Sequence, residues 1–293
     1  MKSQKKYQPT YSFEVFPPKT EQGAEKLHNV CDQLMKVNPL YISVTYGAGG
    51  TTRDRTIGTV LEIHKSGINA APHLSCIGSS KEEILGLLEL YKESGIDRIV
   101  ALRGDLPSGM GAGESGDFRY ANELVEFIRS TTGDHFCLEV AAYPEFHPQA
   151  TDSQADLKNF KRKIDAGANG AITQYFFNAD AYLHFVDDCE KLGIDTPIMP
   201  GIMPITNFTQ LARFSDGCGT EIPRWLRKRL EDYGDDLDSI RSLGLDVISA
   251  MCQRLLDEGA PGLHFYSMNQ AEPVLGIWKN LGLPGAELIG SGA

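Results

Sequence analysis

"NAAPHLSCIGSSKEEILGLLELYKESGIDRIVALRGD", residues 69–105, places two short apolar runs on either side of a helical pattern. In the middle segment Ile84, Leu87, Leu88 and Tyr91 fall on one helical face, and Gly95 ends it. The stretch reads as one strand–helix–strand unit. The same rhythm extends outward in both directions. "YSFEVF" starts at 11, "LYISVTY" at 40, "NAAPHLSC" at 69 and "RIVALRGD" at 98, each 29 residues after the last. That interval suits a βαβ repeat. "FCLEVAAYP" (from 136), "GAITQYFF" (from 170), "PIMPGIMP" (from 197) and "GLHFYSMN" (from 262) continue it. The last interval is longer, and reads as one extra helix, around "PRWLRKRL", before the normal crossover helix. Eight strands alternating with helices predict a parallel (β/α)8 TIM barrel of class α/β. One domain is expected over 1–293, with an open doubly wound sheet as the competing arrangement.

Composition narrows the function classes. The chain of 293 residues has a formal net charge of −11, with 41% hydrophobic and 23% charged residues. That balance disfavours a nucleic acid or an anionic membrane as partner, yet leaves room for a local basic pocket. The N-terminal "MKSQKKYQPT" lacks a following apolar segment, and no run reaches the length of a membrane span. Six scattered cysteines without a CxxC read as reduced, and the expected compartment is the cytoplasm.

In a parallel barrel, chemistry gathers at the C-terminal strand ends. Those ends carry Glu14, Thr45, His73, Arg103 with Asp105, Tyr143 with Glu145 and His147, Gln174, and Tyr266 with Asn269. Any one of them is explained equally well by a strand meeting solvent; a whole ring of them favours an enzyme. The apolar residues before each end are expected to fill the barrel. His73 and His147 lie on separate strands and no HxH or HExxH occurs, so no metal site is assigned. No strand end offers a lysine for a Schiff base. "GMGAGESG" (109–116) lacks the GK[ST] of a phosphate-binding loop and reads as a loop over the barrel mouth. In "SQADLKNFKRKIDAG", Asp156, Asn159 and Lys163 form a polar stripe with Arg162 alongside. It is either a solvated face or a basic stripe that holds a diphosphate.

The segments "SFEVFPPKT", "SVTYGAGGTTRDRT", "APHLSCIG", "ALRGDLP", "VAAYPEFHP", "DLKNFKRKIDAGA", "AITQYFF", "PGIMPITNF" and "LHFYSMN" run in order from about residue 12 to 269. Together they resemble the methylenetetrahydrofolate reductase family, in its bacterial form made of the catalytic barrel alone. The resemblance implies bound FAD, a nicotinamide co-substrate, and reduction of 5,10-methylenetetrahydrofolate to 5-methyltetrahydrofolate in one-carbon metabolism and methionine biosynthesis. It places the general acid on Glu14, with Asp105 as a second carboxylate facing flavin and folate. Thr45, Tyr46, His73, Arg103, Gly104, Asp105, Tyr120, Ala121, Tyr143 and His147 match cofactor contacts. Asp156, Asn159, Arg162 and Lys163 match contacts to the FAD ribose and phosphates. Thr45, Asp105, Gln174, Gln210, Phe214 and Gln270 match substrate contacts. Gln270 departs from the pattern, since bacterial relatives usually carry an arginine there for the folate.

On this reading Glu14 must keep a proton near neutral pH to open the folate's five-membered ring. Its neighbours Phe13, Val15 and Phe16 are expected to raise its pKa by desolvation. Nicotinamide and folate are expected to alternate at one flavin face, giving ping-pong kinetics. NADH is favoured over NADPH by the short form, and a homo-oligomer, dimer or tetramer, is expected. The alternatives are another FAD-dependent barrel dehydrogenase of the proline-oxidising type, a non-flavin lyase, and a ligand-binding barrel.

Overall fold

The computed structural model describes residues 1–46, 50–104 and 116–289, with only the backbone of 50–52. Asp105 and nearly all of the glycine-rich stretch lie outside the described residues. The strands are β1 (Thr10–Val15), β2 (Tyr41–Val44), β3 (Ala70–Ser75), β4 (Arg98–Leu102), β5 (Cys137–Ala142), β6 (Gly170–Thr173), β7 (Ile198–Met199), β8 (Gly201–Ile202) and β9 (Gly262–Tyr266). All are parallel, in the order β7-β6-β5-β4-β3-β2-β1-β9-β8. β7 and β8 are halves of one barrel strand interrupted at Pro200, which has no N–H to donate. The first half pairs with β6 and the second with β9, so this split strand closes the barrel. At the break the Gly201 amide donates to Thr173 Oγ1 instead of a ladder carbonyl. The eight-strand barrel is therefore nearly closed, with its seam at Pro200.

Helices alternate with the strands: α1 (Glu21–Met35), α2 (Gly50–Lys65), α3 (Lys81–Glu93), α4 (Ala121–Thr132), α5 (Ser153–Asp165) and α6 (Ala179–Lys191). In α3 the four expected residues Ile84, Leu87, Leu88 and Tyr91 are buried, and Ser80 and Glu83 form a capping box at its start. Between β8 and β9 stand three helices, α7 (Phe208–Cys218), α8 (Arg224–Tyr233) and α9 (Leu237–Glu258), before α10 (Ala271–Asn280) follows β9. The extra element expected from sequence is thus joined by a second, α7, which begins where Asn207 caps the Gln210 amide. Among the described residues no helix is long and apolar enough to cross a membrane.

The core differs from the expectation of an apolar barrel interior. Phe13, Val15, Leu138, Val140 and Phe265 belong to the layer between strands and helices, where Phe13 stacks 5.5 Å from Trp278. The alternate residues face inward, as the period of two requires. Contacts between non-adjacent strands identify them. Arg98 on β4 lies 4.7 Å over the Tyr41 ring on β2, and Tyr266 on β9 donates from its hydroxyl to Thr173 O on β6 at 2.8 Å. Arg98 also pairs with Glu139 at 2.5 Å. The interior carries a polar column, with Val100 and Ile172 among it, and most of the apolar strand residues pack outside.

Candidate active site

Glu14 ends the inward row of β1. It sits opposite Tyr266 on β9 and Ser43 on β2 in the ladder. Phe13 and Val15 point to the outer layer and Phe16 is 40% exposed, so these neighbours do not dry the carboxylate. The barrel interior does, leaving the Glu14 side chain 16% exposed. Its Oε2 lies 3.3 Å from His73 Nε2 and 3.6 Å from His264 Nε2. Both of those ring nitrogens are buried, with no other hydrogen-bond partner.

The expected rise in the Glu14 pKa is overturned by these two imidazoles. Burial pushes it up, but His73 and then His264 outweigh burial and hold it down at about 2. Burial lowers the pKa of His264, partly opposed by Glu14. Burial likewise raises Tyr266 far above the usual phenol range. The backbone of Glu14 is fixed as firmly as its side chain. Ser267 donates to Glu14 O from both its amide and its hydroxyl, at 3.1 and 2.6 Å. Asn269 accepts from Phe16 N and donates to Phe16 O, each at 2.9 Å. Asn269, read from sequence as a polar strand end, is a clasp on the β1 loop.

A second region opens beside β3, β4 and β5. Its cavity of about 760 Å³ brings together many of the expected cofactor residues: Tyr46, Arg103, Gly104, Tyr120, Ala121, Tyr143 and His147 on one part of its wall. Asp156, Asn159, Arg162 and Lys163 of α5 form another part. Gly104 has φ +85°, and a Cβ there would lie 1.8 Å from Ser75 Oγ. Glycine is required so that this backbone can approach β3. Ser75 Oγ in turn donates to Arg103 O at 2.8 Å, and Arg103 Nη2 donates to Gln149 Oε1 at 2.7 Å. Tyr143 meets the His147 ring edge-on at 4.6 Å, while the His147 amide donates to Asp156 Oδ2 at 2.9 Å. Arg162 donates to Asn159 Oδ1 at 2.9 Å.

Lys163 is the telling member of this wall. Its Nζ donates to Ala141 O at 2.5 Å, and burial lowers its pKa to about 8, with Asp156 opposing. A desolvated ammonium beside Arg103 and Arg162 suits an anionic ligand, which would restore its charge. A cavity of this size with cations on one wall and a glycine-lined approach fits a phosphate-bearing dinucleotide. Among the described residues no group of three or more His, Cys, Asp or Glu is arranged to hold a metal.

Not every expected residue lines this cavity. Glu14, His73 and Thr45 lie outside its lining, His73 two positions before the lining residue Ser75 on the same face of β3. Thr45 donates its amide to Val15 O at 3.0 Å, tying the ends of β1 and β2 together. Of the expected substrate residues, Gln174 is half-buried and accepts from the Tyr175 amide at 3.0 Å. Gln210 and the 45% exposed Phe214 lie one turn apart on α7, and Gln270 is an exposed residue before α10. The sequence reading had not assigned Ser12, His264, Ser75 and Gln149. The signal was available in Ser12/Glu14 and His264/Tyr266, polar pairs at i, i+2 that mark an inward polar face.

Comparison with known proteins fits this geometry. The family profile described as methylenetetrahydrofolate reductase matches residues 1–282. The 5,10-methylenetetrahydrofolate reductase of Escherichia coli K12 is 43% identical over 273 residues, covering 93% of this chain and 90% of that protein. Methylenetetrahydrofolate reductase (NADH) 1 of Arabidopsis thaliana is 38% identical over 288 residues, 94% of this chain and 49% of the plant protein. Among solved structures, a Clostridium thermocellum protein described as binding two copies of 5-methyl-5,6,7,8-tetrahydrofolic acid superposes with a TM-score of 0.65. At 18% identity, covering 98% of this chain and 97% of that one, it speaks for the barrel fold. With nearly its whole length matched, the chain belongs to the methylenetetrahydrofolate reductase family.

Proposed function

We propose that this chain reduces 5,10-methylenetetrahydrofolate to 5-methyltetrahydrofolate with NAD(P)H, using FAD held in the cavity beside α5, as a step of one-carbon metabolism and methionine biosynthesis. The carrying observation is a buried carboxylate, Glu14, flanked by two imidazoles at the barrel mouth. Family membership supplies the reaction.

Arg103, Arg162 and Lys163 would hold the phosphates, with Asp156 and Asn159 toward the ribose and Tyr46, His73, Gly104, Tyr120, Ala121, Tyr143 and His147 completing the cofactor site. Bound flavin supplies hydride transfer. The protein's own work is to hold and deliver a proton. Glu14 gives its carboxyl proton to N10 of the folate, the C–N10 bond breaks with its electron pair going to that nitrogen, and the ring opens to an N5 iminium that can accept hydride. The two imidazoles hold Glu14 as the carboxylate in the ligand-free protein, so it must take up a proton before each transfer to N10.

Asp105 is proposed as a second carboxylate near flavin and folate. Gln174, Gln210, Phe214, Gln270 and Thr45 are proposed for the substrate side, with one domain carrying the whole site. NADH is the favoured donor; the plant relative's name specifies it for that protein. A homo-oligomer is the proposed assembly.

The test is a visible spectrum of the purified protein, then anaerobic NADH, then methylenetetrahydrofolate. Flavin absorbance that bleaches and returns supports the reading. A protein that neither carries nor takes up FAD overturns it.

A further inference from the structure

Beneath Glu14 the polar column continues. Ser12, two residues earlier on the inward face of β1, is 2% exposed, and its Oγ lies 2.7 Å from His264 Nδ1. Tyr41 packs beside this pair from β2, its ring 6.1 Å from that of His264. Tyr41 is itself pinned by the Arg98 guanidinium over its ring. His264 is fully buried and its other nitrogen, Nε2, has Glu14 Oε2 as the facing group. The direction follows from the other end: a carboxylate can only accept, so the imidazole carries its hydrogen on Nε2, facing Glu14, and Nδ1 is left to accept from Ser12 Oγ.

We propose that Ser12 and His264 act as a pair behind Glu14, in which neutral His264 turns its Nε2–H toward Glu14 and stabilises the carboxylate left when Glu14 gives up its proton, and Ser12 fixes the tautomer that lets it do so. His264 and Ser12 are positioning residues for the proton donor. The inference rests on the reductase reading for its catalytic meaning, but the tautomer itself does not. Burial disfavours a charged His264, in keeping with a neutral ring.

The groups facing this pair are few. Glu14 is faced by His73 from β3, His264 from β9 and Tyr266 from β9. His264 is also faced by Tyr41, at 6.1 Å between rings, and by Tyr266, at 5.4 Å. Arg98 and Glu139 face Tyr41 from below, and Tyr143 and Cys218 face Tyr266. His73 is the second support of the carboxylate, so losing His264 weakens the acid without abolishing it.

Two measurements test the pair. The first is nitrogen NMR of ¹⁵N-histidine-labelled protein, with His264→Asn assigning the signal; it needs neither flavin nor substrate. A neutral ring protonated at Nε2 is expected, and one protonated at Nδ1 overturns the proposal. The second is the same NMR signal in Ser12 variants, read beside the rate of flavin reoxidation by methylenetetrahydrofolate at fixed pH. Ser12→Ala should move the ring toward the tautomer protonated at Nδ1 and slow reoxidation, and Ser12→Thr should do neither; this pair decides the matter if His264→Asn does not fold. His264→Asn should slow reoxidation about tenfold or more, and His264→Gln, whose amide N–H reaches farther, should recover part of the rate. A slowed reaction with an unmoved tautomer in Ser12→Ala overturns the proposal, because loss of packing alone would do that. Failure of NADH to bleach the wild-type flavin would instead count against the reductase reading and leave the NMR result standing.

Discussion

Two parts of the barrel mouth handle charge in opposite ways. On the β1–β3–β9 side, Glu14, His73 and His264 are buried against one another within 3.6 Å, and the two imidazoles outweigh burial in holding the Glu14 pKa down. On the β4–β5–α5 side, Arg103 and Lys163 line an open cavity where, among the described residues, their hydrogen bonds go to neutral groups, Gln149 Oε1 for one and the Ala141 carbonyl for the other, with Asp156 acting on Lys163 from α5. The first region is complete in the protein alone. The second is arranged for a charge that must arrive with a ligand. Proton transfer needs an acid whose strength is fixed beforehand, whereas cofactor capture gains affinity from charges left unpaired.

The sharpest way to break that comparison is Glu14→Gln. NADH should still bleach the flavin, while reoxidation by folate should fall about 10²- to 10⁴-fold in stopped-flow traces. Equal loss in both half-reactions would mean that the two regions are not separable. Next in size is Arg98→Met, which strands the Glu139 carboxylate in the barrel interior. About 3–5 kcal/mol of stability should be lost in denaturant titration, since a broken buried pair leaves an uncompensated charge. Burial already raises the Glu139 pKa despite Arg98.

A smaller effect is expected at Lys163. Its pKa of about 8 lies below the ordinary lysine value, so the free protein carries the cost of the charged form below pH 8 and is relieved of it as pH rises toward the unfolded value. Binding an anion requires that charged form. FAD affinity should therefore weaken as pH rises above about 8, and Lys163→Met should lower it about tenfold and flatten that dependence in fluorescence titrations. A pH-independent affinity would place the phosphates elsewhere. The smallest change sharpens rather than breaks the comparison. Asp152 caps α5 by accepting from the Ala155 amide at 2.8 Å, and Asp152→Ala should cost about 1 kcal/mol in thermal melts with the Glu14 half-reaction unmoved.

The β/α alternation was legible because strand starts repeat and helices such as α3 declare their buried face. Most of the cavity wall was legible through the resemblance. What escaped has a common cause. Reading Phe13, Val15 and Phe16 as the surroundings of Glu14 treated sequence neighbours as spatial neighbours, whereas a strand sends them to opposite faces. The true surroundings, His73 and His264, come from β3 and β9, hundreds of positions apart in one case. A histidine inside "LHFY" looks like a core residue until the barrel closes. The split of the seventh strand was hidden for a similar reason: "PIMPGIMP" reads as one run, and only the pairing of its two halves shows Pro200 as the seam.

The polar column inside the barrel has a thermal consequence. Unfolding most barrels of this length would expose a large store of aliphatic surface, whose hydration raises the heat capacity. Here a share of what the strands release is Tyr41, Arg98, Glu139 and His264, and polar hydration acts in the opposite sense, lowering the heat-capacity increment of unfolding and flattening the curve of stability against temperature.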